Sequence, residues 1–158
     1  MPGIWTPKSF QADDGTIPYE QFVNGLSDFK FRALDAALDR VLSVRGIDLV
    51  RTEWVKPLGE GLHEFRVRHD ADEVAHMFGG DPPQVAAPAG KILLRVFVHF
   101  YGDKAILVLG GYDKGEDPQQ KRQQREIAEA RRLLAQFKER RRRQRDQVSR
   151  PKKGKRRA

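Results

Sequence analysis

The sequence predicts an α+β fold: a small antiparallel sheet with two N-terminal helices and one long C-terminal helix. Three observations carry this. Apolar residues recur at spacings of three and four between Tyr19 and Leu42. Apolar and polar residues alternate, or give way to strand-length apolar runs, between Ile47 and Tyr112. A helical period then returns after Pro118. A chain of 158 residues suits one domain. Residues 1–137 are expected to form it, with 138–158 a basic helical extension and disordered tail.

Ile4 to Gln11 reads as a short strand or extended arm, and Asp13-Asp14-Gly15 as a turn. Thr16 is placed to cap a helix whose first turn tolerates Pro18 and whose stripe is Tyr19, Phe22, Val23 and Leu26. Asn24-Gly25 ends it, and Ser27 can cap the next, over about Asp28 to Val44. There Phe31, Leu34, Leu38, Val41 and Leu42 share one face. Ile47 to Lys56 is expected as a strand and Pro57 to Gly61 as a turn. Leu62 to His69 follows as a strand with Phe65, Val67 and His69 opposite Glu64, Arg66 and Arg68. Asp70 to Gly90 shows no period and is expected as a long loop. Lys91 to Phe100 is a strand with Arg95, Phe97 and His99 on its less aliphatic face, and Gly102-Asp103 turns into Ala105–Tyr112. That run is apolar enough to be a central strand buried on both faces. Gln119 to about Asp146 is a long helix with Ile127, Ala130, Leu134 and Phe137 inward, fraying after Arg145 and disordered from Ser149. Helices are expected on one sheet face, leaving the other for chemistry.

Charge is segregated along the chain. Residues 119–158 hold 17 Lys/Arg against 4 Asp/Glu, whereas residues 1–118 hold 13 against 18. The basic end suits a polyanion bound without sequence reading, and Arg140, Arg141, Arg142, Arg143, Arg145, Lys152 and Lys153 are its candidate RNA contacts. Added solubility is the plainer account of the same charges. The absence of cysteine excludes disulfides and thiolate metal sites. His63, His69 and His76 lack metal-ligand spacing on one helix, so no metal is expected. Gly110-Gly111 lacks the rest of a phosphate loop and reads as close backbone packing. Glu126 and Glu129 read as surface partners of Arg122, Arg125 and Arg132. No signal-peptide pattern or membrane-length apolar run is visible, so a cytoplasmic protein without membrane contact is expected.

Four segments in order resemble one family. They are the opening, an arm followed by Asp14-Gly15 and a short helix ending near Leu26; Val55-Lys56-Pro57-Leu58-Gly59-Glu60-Gly61-Leu62-His63-Glu64-Phe65-Arg66; Leu94-Arg95-Val96-Phe97; and Ile106 to Lys114 followed by Asp117-Pro118 and Arg125-Glu126-Ile127-Ala128-Glu129-Ala130. Together they are similar to the phage-derived branch of the RelE/HigB toxins of type II toxin–antitoxin modules, over about Trp5 to Gln136. The chain departs from that pattern at His63, where the family has Trp, and at Gly115, where many relatives carry a second lysine. The 70–90 segment is also longer than most relatives have. The resemblance implies a RelE-like fold and a ribosome-dependent mRNA endoribonuclease needing no metal or other cofactor. It further implies mRNA and the ribosome as partners, and a cognate antitoxin, commonly a helix-turn-helix repressor.

Cleavage by a ribose 2′-hydroxyl needs a group to take or orient its proton, cations on the phosphate and a donor for the leaving oxygen. Lys56, Arg66, Arg68, Arg95 and Lys114 match basic places in the family pattern. Arg66 or Arg68, with Arg95, are the candidate phosphate clamps, because a guanidinium fork grips phosphate through two hydrogen bonds. His99 or Lys56 is the candidate base or orienting group, and Tyr112 or Asp113 a further proton-handling group. Solvated arginines on a strand face, a structural His99 and a packing role for Tyr112 are the plainer alternatives. Two other functions compete: a ParE-like topoisomerase poison, and a non-catalytic basic nucleic-acid-binding protein.

Overall fold

The computed structural model describes residues 4–80 and 91–149. Its order is β1 (Thr6–Ser9), α1 (Pro18–Asn24), α2 (Asp28–Ala37), a π turn at Leu38–Leu42, α3 (Ser43–Arg45) and a 3-10 turn at Gly46–Leu49. Then come β2 (Val55–Gly59), β3 (Leu62–Val67), α4 (Ala71–Phe78), β4 (Leu94–Tyr101), β5 (Ala105–Asp113) and α5 (Gln120–Ser149). The expected α+β class holds, with the long C-terminal helix in place.

The five strands run β1-β5-β4-β3-β2. The sheet is mixed rather than antiparallel, because β1 pairs parallel to β5, with Thr6 opposite Ala105 and Ser9 opposite Val108. The helices and three other strands between β1 and β5 supply the long crossover a parallel pair needs. β5 therefore lies between β1 and β4, and its apolar run is buried on both faces as the sequence predicts.

The expectation of one bare sheet face is overturned. On one face α1, α2 and α4 pack with Leu34, Val41, Phe65, Val67, Val96, Val98, Ile106 and Val108. On the other, the first half of α5 lays Ala130, Leu133 and Leu134 over Phe10, Leu62, Phe97, Leu107, Leu109 and Tyr112. Each apolar face of the sheet thus has a covering partner, giving three layers.

Four local readings are corrected. The 70–90 segment contains α4, started by a reciprocal capping box in which Asp70 accepts from the Glu73 backbone N–H and Glu73 accepts from that of Asp70. Residues 81–90 lie outside the described residues, as does the tail from Arg150. Ile47–Lys56 is strand only from Val55; Leu49 and Trp54 are instead buried anchors of a turn. Pro57 and Leu58 belong to β2, and Pro57 is tolerated because β2 is an edge strand. Thr16 does not cap α1: its hydroxyl donates to Asp14 at 2.7 Å and the N-cap is Ile17, with no side-chain bond. Ser27 does cap α2, accepting from the Lys30 N–H.

Candidate functional site

The register of the three inner strands builds the site. Arg66 of β3 stands opposite Arg95 of β4, and Arg95 opposite Tyr112 of β5. All three lie on the α5 side of the sheet. Tyr112 reaches that side through a bulge: Phe97 pairs with Gly110 but Val98 with Val108, so Leu109 is an extra residue. Gly110 accepts the bend with φ +135°, a conformation side-chain-bearing residues rarely adopt. The inserted residue reverses the alternation beyond it. Tyr112 therefore faces α5, while Asp113 faces α2 and binds Lys30 Nζ at 2.5 Å. Asp113 is thus removed from the expected catalytic set by the thickness of the sheet.

A carboxylate absent from that set organises the rest. Glu64 is 0% exposed. Its Oε1 accepts from Arg66 Nε at 3.0 Å and lies 3.7 Å from Arg95 Nε. Its Oε2 accepts from Gln123 of α5 at 3.4 Å. Arg95 is 3% exposed, donates from Nη1 to the Leu94 carbonyl, and has no hydrogen-bond partner at Nε among the described residues. Tyr112 is 1% exposed and its hydroxyl also lacks a partner among the described residues. The Arg122 guanidinium covers the Tyr112 ring at 5.2 Å, itself held by Glu126 and Asp117. Arg95 is therefore an interior charge held by Glu64, not the accessible clamp the sequence suggests. Burying a guanidinium is costly unless it is paired, and Glu64 supplies that pair.

These surroundings shift proton affinities. Burial, first, lowers the Arg95 pKa and Glu64 opposes it. Burial raises that of Tyr112, with the Glu64 charge acting the same way, so the phenol stays neutral. Burial and then the Arg95 charge lower that of Lys114, and Arg66 and Arg68 add to it. Lys114 and Arg68 thus share the electrostatic neighbourhood of Arg95 and Glu64. Arg68 is exposed just past the end of β3, and Lys56 is exposed on β2 directly opposite Glu64.

His99 does not join this group. It faces α5 but stands four residues along β4 from Arg95, about 13 Å in an extended strand. There its Nδ1 bonds the Gly61 carbonyl at 2.8 Å. Burial lowers its pKa despite that bond, and Lys138 and Arg141 lower it further.

The arginine block on α5 also separates into parts. Arg140 donates to the Gln11 carbonyl, pairs with Asp13 at 2.7 Å and covers Phe10, so it fastens the N-terminal arm. Arg142 pairs with Glu139 and Asp146, and Arg143 with Glu139 at 3.6 Å. Arg141 and Arg145 lie along a different face, beside Tyr101 and Phe137. Lys152 and Lys153 lie outside the described residues. The expected Glu126–Arg122 and Glu129–Arg132 pairs are present.

Glu64, Gln123 and Arg122 were not legible as site residues. Glu64 alone had a signal, its two-residue spacing from Arg66 on one strand face. Among the described residues no helix is long and apolar enough to cross a membrane. No protein-family model matches the chain, and no curated protein matches it.

Proposed function

We propose that this protein is the toxin of a type II toxin–antitoxin module and cuts messenger RNA on the ribosome. One observation supports this above the others: Arg66, Arg68, Arg95 and Lys114 converge at one end of the sheet around a buried carboxylate. Arg66 and Arg68 are the accessible cations for the scissile phosphate. Arg95 and Glu64 stand behind them, Glu64 fixing Arg66 from the interior. Lys114, shifted towards its uncharged form, takes the proton of the 2′-hydroxyl as that oxygen attacks phosphorus. Tyr112, kept neutral by burial, donates to the departing 5′-oxygen once the first turns of α5 move off its ring. The products are a 2′,3′-cyclic phosphate and a 5′-hydroxyl. A cytoplasmic location and a helix-turn-helix antitoxin belong to the same reading.

Purified protein added to translating ribosomes tests it. Cleavage sites mapped by primer extension are expected with the unaltered chain, and a loss of about a hundredfold or more with Lys114→Ala or Arg66→Ala. Intact mRNA together with inhibited DNA supercoiling would instead identify a ParE-like poison. A second reading, a non-catalytic RNA-binding protein, is favoured by the burial of Arg95 and Tyr112 beneath α5. It predicts RNA binding with no cut and no effect of Lys114→Ala.

A further inference from the structure

The end of the α5-covered face farthest from Glu64 is built differently. Tyr101, at the end of β4, meets Phe137 of α5 edge to face with ring centroids 4.9 Å apart. The His99 ring lies parallel to Tyr101 at 6.1 Å. The Arg141 guanidinium sits over both Tyr101, at 5.0 Å, and Phe137, at 5.7 Å. Phe137, Arg141, Gln144 and Val148 follow one another at helical spacing, and Val148 is 86% exposed. With Tyr101 and Arg145 they line an open concavity of about 720 Å³. A neighbouring hollow of about 200 Å³ adds His99, Gly102 and Lys138.

Charge decides what such a surface fits. Among the described residues no carboxylate lines either concavity, whereas Lys138, Arg141 and Arg145 do. The acids of this stretch, Glu139 and Asp146, are paired with Arg142 on another face of the helix. Aromatic rings and guanidinium planes beside clustered cations are the means by which proteins hold unpaired bases and their phosphates. Double-stranded nucleic acid keeps its bases stacked internally and offers such rings nothing. A purely apolar partner would gain nothing from the surrounding cations.

We propose that the Tyr101–Phe137–Arg141 cluster is a binding site for single-stranded RNA, stacking an unpaired base on its rings while Lys138, Arg141 and Arg145 meet the flanking phosphates. It needs RNA as ligand but not cleavage, so it stands or falls separately from the reaction at Lys114.

The test is binding of a labelled 2′-O-methyl RNA dodecamer, which has no free hydroxyl to attack, to the full chain by fluorescence anisotropy. Tyr101→Leu leaves net charge unchanged and is expected to weaken binding about tenfold, while Tyr101→Phe stays within about twofold. Arg141→Gln is expected to weaken it about tenfold, and Arg32→Gln, the same charge change on α2, not at all. Thermal melts of each variant separate lost binding from lost folding. Unaltered binding by a folded Tyr101→Leu variant would overturn the site. So would equal displacement of the labelled strand by a duplex, or by a polyglutamate peptide, since either would reduce the surface to plain charge attraction.

Discussion

The two ends of the sheet face beneath α5 hold cations by opposite means. At the Arg95 end, one guanidinium, that of Arg95, is drawn into the interior and a fully buried carboxylate holds it and orients Arg66. At the Tyr101 end, Arg141 stays partly exposed and rests on aromatic rings. The first arrangement fixes geometry at the cost of desolvation; the second leaves charge available to a ligand at little cost to folding. A site that must align a phosphate for in-line attack needs the former, and one that grips a flexible strand is served by the latter.

The contrast makes its largest prediction in stability. Glu64→Ala strands two guanidiniums, one buried, and is expected to lower unfolding free energy by about 3–5 kcal/mol in denaturant titration. The double variant Glu64→Leu with Arg95→Met is expected to recover most of that loss while leaving mRNA uncut. A mild effect of Glu64→Ala would mean that the near end is not held as described.

Next in size is the bulge that delivers Tyr112. A Cβ on Gly111 would lie 2.6 Å from the Arg95 carbonyl oxygen and 2.8 Å from the Phe22 ring. Gly111→Ala is therefore expected to cost about 1–3 kcal/mol and to lower cleavage by displacing Arg95 and Tyr112. At the far end, Arg141→Gln is expected to change unfolding free energy by only about 0.5–1 kcal/mol, the size of an exposed cation–π contact.

The smallest expected effects are in pH dependence, and the two ends differ in direction. His99 is held below its ordinary value of 6.5, so the folded state resists its protonation. Its contribution to stability is complete above that value and is lost as pH falls through it, an effect His99→Gln should reduce. Tyr112 is held above its ordinary 10.0, so its contribution is complete below that value and is lost as pH rises through it. Tyr112→Phe should flatten that alkaline loss, part of which remains with Tyr19, raised by burial as well. Lys114 acts oppositely in the alkaline range, because its lowered value makes the charged form the disfavoured one. Chemical denaturation at stepped pH values reads all three.

Much of the fold was legible because period and turn chemistry agree locally: α2, β3, β4 and the first half of α5 lie where their apolar spacing places them. α4 was missed, although Asp70 and Glu73 three residues apart carry its capping signal, because the Gly, Pro and Ala residues after it obscure the helical period. The site was less legible. Alternation correctly grouped Arg66, Glu64 and Arg95 on matching faces. It could not register the extra residue at Leu109, which exchanges the sides of Tyr112 and Asp113. Nor does local pattern reveal that α5 folds back over the expected open face, since that depends on pairing elements distant in sequence.

The central claim is that the cluster around Glu64 severs RNA. End-group analysis of mRNA recovered from translating ribosomes tests it most directly. The account predicts discrete cuts with 2′,3′-cyclic phosphate ends for the unaltered chain and none for Lys114→Ala that still folds. Intact mRNA, or cuts that persist undiminished in that variant, would contradict it.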